Sequence, residues 1–406
     1  MEEETKMFVL PDTFSESNED YIVVNAVKKF IKCRPDINCK LGESRQVLLS
    51  AVVKYANSSE KAEEDTLQWI DSVVKEGIKD LYIKELTEES IEYIQNVDNI
   101  YKAIQPILEE SREKHLCNNT YTDSMKLVRF QVEEKECLVY TFYLCQCVFI
   151  YDGKGDAKVR WYPICVDMYP ESGLIVGRGK PRQNMFKYNK DGINLENLER
   201  VSPELRIQKG MQYILDILNI SCKGVVEVNW KLKNCLYKLL EKYTGTPIEI
   251  ETLMKKNIDK IQNVINVIAD DICVGSNKRD IESDIFNLIE KYFSINYEDK
   301  EIFTKGREAY PLRISATDEE ESKVDQKSAQ EHPLQSKAIF FDNKKMMQKS
   351  KICDGIAFKF KRKNKTYFDE EFKVRIGVKN NCCHMKFFEY TEEVDIQNVL
   401  RLFINA

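Results

Sequence analysis

Residues 126–168 read KLVRFQVEEKECLVYTFYLCQCVFIYDGKGDAKVRWYPICVDM. Three segments in it, Lys126–Val132, Leu138–Tyr151 and Ala157–Met168, are rich in β-branched and aromatic residues and alternate with period two, which predicts strands. Asp152-Gly153-Lys154-Gly155-Asp156 between the last two is a turn signal, and Pro170-Glu171-Ser172-Gly173 is a second one leading into Leu174–Val176. The stretch therefore predicts an antiparallel meander of three or four strands. Leu138–Tyr151, interrupted by Gln146, is too short to span a bilayer as a helix and reads as a buried strand.

Helical grammar lies on both sides of this meander. Upstream, a short strand is expected at Met7–Leu10, and a helix whose Leu67, Ile70, Val73, Val74, Ile78 and Leu81 recur at spacings of three and four. The next helix starts at Thr87, an N-cap residue followed by Glu88 and Glu89, and runs to about Lys114. Downstream, Ser202-Pro203-Glu204 opens a helix, and Thr246-Pro247-Ile248-Glu249 forms a capping box ahead of Leu253, Ile258, Ile261, Ile265 and Ile268. A third helix carries Ile281, Ile285, Leu288, Ile289 and Tyr292.

Beyond them, Thr317–His332 contains Asp318-Glu319-Glu320-Glu321 and few apolar residues, the composition of a linker. Lys337–Phe341, Ile352–Lys361, Thr366–Lys379 and His384–Tyr390 have strand composition, and Thr391-Glu392-Glu393 caps a closing helix with Val399, Leu400 and Phe403 on its apolar side. The expected class is α+β. Its segments are an acidic helical region (1–115), an antiparallel β-meander (116–200), a helical layer (201–316), an acidic linker (317–333) and a basic β-rich C-terminal domain (334–406).

The chain has 406 residues, 43% of them hydrophobic and 32% charged, enough apolar surface for more than one core and too much for general disorder. Its start, Met1-Glu2-Glu3-Glu4, lacks the basic flank and apolar core of a signal peptide, and the 13 cysteines then point to a reducing compartment with free thiols. The expected location is cytoplasmic, without membrane or disulfides. Net charge is −6, but residues 1–115 hold 15 basic and 24 acidic side chains, leaving the rest at +3. The acidic helical region is accordingly expected to meet a protein partner.

The chemistry-bearing patterns are few. Between Lys344 and Tyr367 stand nine basic residues, among them Lys359, Lys361, Arg362, Lys363 and Lys365, against the single acid Asp354, with Phe358, Phe360 and Tyr367 interleaved. Cations neutralise phosphates and aromatic rings stack on bases, so this segment is a candidate nucleic-acid surface. Strand alternation places Phe358 and Phe360 on the face opposite the lysines, which weakens the stacking half of that reading. A second basic group, including Arg178, Lys180 and Arg182 in Gly177-Arg178-Gly179-Lys180-Pro181-Arg182, forms a phosphate-accessible loop if exposed. It is not a P-loop, because Gly-Lys is followed by Pro181.

Asp354 followed by Glu371-Phe372-Lys373 resembles the Asp…Glu-x-Lys pattern of metal-dependent nucleases, in which carboxylates hold Mg²⁺ and the lysine assists the attacking water. Only His115, His332 and His384 are present, and the adjacent Cys382-Cys383-His384 point to alternating faces, so no zinc set emerges. No motif covers enough of the chain to carry over a family's functional residues. The expected function is a non-catalytic nucleic-acid-associated or complex-assembly subunit without cofactor, in a setting such as bacterial antiviral defence. The alternatives are a Mg²⁺-dependent nuclease using Asp354, Glu371 and Lys373, and a purely protein-interacting component.

Overall fold

The computed structural model describes residues 7–15, 21–111, 115–118, 122–134, 136–151, 157–188, 199–272, 278–317, 323–364, 367–379 and 382–404. In chain order, helices α1 (Asp12–Ser15), α2 (Val24–Lys32), α3 (Arg45–Ala56) and α4 (Glu60–Lys75) lead to strand β1 (Asp80–Glu85). Helices α5 (Glu88–Gln95) and α6 (Val97–Ser111) precede β2 (Lys126–Glu134), β3 (Leu138–Tyr151), β4 (Ala157–Tyr169), β5 (Leu174–Gly179) and β6 (Met185–Lys187). Then come α7 (Pro203–Leu218), α8 (Val225–Thr244), α9 (Ile248–Lys256), α10 (Ile258–Ile272), α11 (Lys278–Asn296), β7 (Ala309–Thr317) and β8 (Lys323–Lys327). The chain closes with α12 (Ala338–Ser350), β9 (Gly355–Lys361), β10 (Glu371–Lys379), β11 (Cys382–Phe387) and α13 (Glu393–Ile404). The fold is α+β, as the sequence predicts.

Two compact units form, each from discontinuous segments: unit one from 1–228, 364–370 and 381–398, unit two from 229–363, 371–380 and 399–406. In unit one the antiparallel strand order is β2-β3-β4-β5-β1-β11, with β6 on β3. Both faces are covered. Tyr143, Cys145 and Cys147 of β3 share a core with Phe30, Leu48, Leu67, Ile70 and Val74 of α2–α4. Tyr140, Phe142, Leu144 and Val148 share another with Ile94, Ile104, Ile207, Met211 and Ile214 of α5–α7. Burial on two faces explains why Leu138–Tyr151 is apolar almost throughout.

The Pro170–Gly173 turn is present: Gly173 takes φ +66°, and a Cβ there would meet Ile91 Cδ1 at 2.3 Å. Thr87 and Ser202 cap α5 and α7 as predicted, accepting from Ser90 N (3.3 Å) and Leu205 N (3.1 Å). The turn read at 152–156 lies outside the described residues.

In unit two the order is β10-β9-β7-β8, antiparallel, with α8–α12 contributing the helices. Tyr243 of α8 packs edge-on against Phe358 (5.5 Å) and Phe360 (6.1 Å) of β9. Pro311 sits where the β7–β9 register shifts, the kind of position at which a strand tolerates proline.

Several elements differ from the sequence reading. Met7–Leu10 is irregular, with Phe8 N–H donating to the Asn57 side chain (2.8 Å) in place of a strand partner. The helix read through Leu81 ends at Lys75, because Gly77 adopts φ +100° and donates its N–H to Thr391 O (2.8 Å); Leu81 belongs to β1. The helix read from Thr87 is two, α5 and α6. Thr246 does not cap: its hydroxyl donates to Glu290 (2.7 Å), and the helix divides into α9 and α10 at Asn257. Residues 309–316 of the expected helical layer, with Thr317 of the expected linker, form β7. Within the expected linker, Lys323–Lys327 pairs with β7 as β8, burying Gln326. Lys337–Phe341 is not a strand but the start of α12, whose Phe340 and Met347, seven residues apart, bury one side of a helix.

Candidate functional site

In the basic C-terminal stretch, carboxylates answer many of the cations. Lys344 meets Glu290 (3.0 Å) and Lys345 meets Asp284 (2.6 Å). On the hairpin, Lys359 meets Glu331 (3.1 Å) and Glu371 (3.4 Å), Lys373 meets the same Glu331 (3.1 Å), and Tyr310 donates to Glu371 (3.3 Å). Burial pulls the Lys359 ammonium down, but its hydrogen bond to Glu331 and the nearby anionic groups hold it above its ordinary value. Those same two lysines hold Glu331 below the usual carboxylate range. Lys361 donates to Thr304 O (2.8 Å), and Arg362 lies 5.0 Å from the Phe372 ring centre. Lys363 is exposed; Lys365 lies outside the described residues. Phe358 and Phe360 are core side chains at 0% and 3% exposure, so neither offers a face to a base. Tyr367, which remains exposed, carries Lys32 at 5.5 Å.

The three residues of the nuclease pattern do not meet. Strand register sets Glu371 opposite Lys361 and Lys373 opposite Lys359 at one end of the β9–β10 hairpin. Asp354 is at the other end, where its carbonyl accepts from Val378 N (3.0 Å). Five to seven residues of strand separate it from the pair, roughly 17–24 Å. Its carboxylate is engaged by Lys233 (2.6 Å) and Thr317 (2.6 Å). One Mg²⁺ therefore cannot be shared by Asp354 and Glu371. Among the described residues no group of three or more His, Cys, Asp or Glu side chains gathers around a common point for a metal.

Arg178 is the clearest correction. Gly177-Arg178-Gly179 is not a loop but the end of β5, and its glycines make room for α7: a Cβ on Gly177 would meet Met211 Cγ at 2.6 Å and Ile207 Cγ2 at 2.8 Å. Gly177→Ala is expected to lower stability by about 1–3 kcal/mol, read from the urea midpoint, because the packed interface has no space for a methyl group. An unchanged midpoint would show that α7 yields freely.

The Arg178 guanidinium, 1% exposed, is paired to Asp167 and to Glu393 Oε2 (2.5 Å). Thr141 donates to Asp167 (2.7 Å), and the buried Lys75 reaches Thr141 (3.2 Å), Glu133 (3.1 Å) and Glu393 (3.8 Å). This network joins α4, the sheet and the first turn of α13 inside unit one, and it is closed to a phosphate.

Lys180 and Arg182, the rest of that motif, lie elsewhere, around a tyrosine that sequence reading missed. Tyr21, 3% exposed, has Lys180 Nζ 5.2 Å and Arg182 Cζ 5.9 Å from its ring centre, and Lys79 Nζ at 4.9 Å. Lys79, the residue before β1, is 1% exposed, and its backbone carbonyl accepts from Phe387 N (2.9 Å). Burial pushes its ammonium down to about 7. No local signal marks either residue: Tyr21 follows an acidic run and Lys79 sits between a turn and a strand.

His115 is also satisfied structurally, with Nδ1 2.7 Å from Asp71 and Nε2 3.1 Å from Glu64, while burial pushes the Cys117 thiol up. Among the described residues the cysteines are free and no helix is long and apolar enough to cross a membrane. No protein-family model matches this chain, and neither a curated protein nor a solved structure matches it.

Proposed function

We propose that the chain is a non-catalytic complex-assembly subunit that engages another protein through the helices of unit two. The observation that carries this reading is the second apolar face of α10. Ile261 and Ile265 turn inward at 4% and 0% exposure, while Val264 and Val267 stand at 49% and 65%. Leu288 and Tyr292, one turn apart on α11, are exposed at 50% and 58%. A solvent-facing helix position ordinarily carries a polar residue, and valine also has the poorer helix propensity, so these side chains favour a contact surface. The carboxylates that answer Lys344, Lys345, Lys359 and Lys373 favour assembly over phosphate contact.

A photo-crosslinking residue at Val267, in the full chain in its source cell, is expected to yield one discrete adduct. The adduct should disappear when Val264→Glu is added and should not form from Lys187 on β6. A signal at 267 no stronger than at 187 would overturn the assembly reading.

A further inference from the structure

We propose that unit one binds a small amphiphilic monoanion, a medium-chain alkyl carboxylate, in the groove between the Met7–Leu10 segment and α3, with Lys54 as its head-group partner. The groove encloses about 600 Å³, within the range of small-molecule sites. Its floor is Phe8, Leu10 and Leu49, buried members of the unit-one core, so it is a concavity sunk toward that core and not a flat patch.

Two connections fix the walls. Asn57, at the end of α3, accepts from Phe8 N (2.8 Å) and donates to Phe8 O (3.0 Å), and Arg45 donates to Ser15 O (2.7 Å). Held in this way, Phe8 and Leu10 turn inward while Met7 and Val9 stay 72% and 71% exposed and add apolar wall above the apolar floor. The facing wall is α3, in two rows. Leu49 and Val53, four apart, form an apolar row, and Gln46, Ser50 and Lys54, also four apart, run beside it. From Gln46 to Lys54 is eight residues, roughly 12 Å of helix.

Charge complementarity decides the occupant. Lys54 is the one charged side chain among the described residues that line the groove, and among the described residues it has no ion-pair or hydrogen-bond partner. An apolar groove of this length takes an alkyl chain, and a single ammonium at one end takes a single negative charge. A carboxylate there accepts a charge-assisted hydrogen bond from Lys54, with the Ser50 hydroxyl one turn away as a second donor. A dianionic head group would leave one charge unanswered.

The test is titration calorimetry of the full chain with octanoate, decanoate and dodecanoate below their micelle concentrations, with decanol and decyltrimethylammonium as head-group controls. One saturable decanoate site per chain is expected, with affinity rising about two- to fourfold per added methylene until the groove is filled. Lys54→Gln, at an exposed position, should weaken decanoate about tenfold and leave decanol within about twofold. Ser50→Trp, also at an exposed position, should fill the groove and abolish binding of both. Lys54→Gln serves if Ser50→Trp fails to fold. No saturable decanoate site on the wild type, or one that neither variant weakens, would overturn the site. Decanol or decyltrimethylammonium binding as tightly as decanoate would overturn the carboxylate head group.

Discussion

Asp167→Ala is expected to destabilise unit one by about 3–5 kcal/mol, the range observed when one member of a buried ion pair is removed. Asp167 is 0% exposed and receives hydrogen bonds from Arg178 and Thr141. Its loss leaves a guanidinium at 1% exposure and the Lys75 ammonium at 3% short of negative charge in a medium that solvates neither. The double change Asp167→Ala with Arg178→Met should recover most of the loss, since a matched apolar pair is far less costly than a stranded charge.

Urea unfolding followed by Trp69 and Trp161, both in unit one, checks this in a Trp230→Phe background that silences the unit-two tryptophan. A single-mutant loss below about 1 kcal/mol would mean that Glu393 alone suffices for Arg178. Acid should act on the same link. Burial raises the Asp167 carboxyl, but Arg178 and Lys75 outweigh it and hold it below its ordinary value. Its contribution is therefore present above the unfolded value near pH ~4 and is lost as pH falls through the lower folded one.

Lys79→Met is expected to act in the opposite direction and stabilise the chain. Burial lowers the ammonium from 10.5 to about 7. Between those values the unfolded chain binds a proton that the folded chain does not, so wild-type stability rises with pH across that interval. The protonated form is penalised fully below pH 7, and the penalty disappears as pH approaches 10.5. At ~1.4 kcal/mol per pH unit the gain from methionine is on the order of 4 kcal/mol at pH 7 and small at pH 10.5. Paired melts of the two proteins across that range are the measurement. A pH-independent difference would place the ammonium in water or beside a carboxylate that keeps it charged.

The meander from Lys126 was legible because strand identity there is carried by neighbours in sequence: alternation, β-branching and turn residues all lie within a few positions of one another. The caps at Thr87 and Ser202 were legible for the same reason, each being a side chain that bonds a backbone N–H three residues on. Ile339-Phe340-Phe341 was ambiguous, since a short apolar run suits a strand or a helix. The choice fell to partners elsewhere, such as Asn343 with Gln326 (2.9 Å) and Lys344 with Glu290 (3.0 Å). The nuclease pattern failed on distance, because spacing along the chain says nothing about which end of a hairpin a residue occupies.

Charge placement was the least legible of all. Gly177-Arg178-Gly179 has the composition of a mobile basic loop, yet its glycines serve the close approach of α7. Its arginine is neutralised by Asp167, 11 residues away, and by Glu393, 215 residues away. Lys75 and Lys79 differ by four positions and have similar surroundings in sequence, but one is surrounded by carboxylates and the other faces Tyr21. Local order thus follows from short-range sterics and periodicity, which the chain carries in each stretch of a few residues. Whether a buried charge is paired depends on groups brought near it only when distant segments pack, and that is where the candidate sites of this protein were decided.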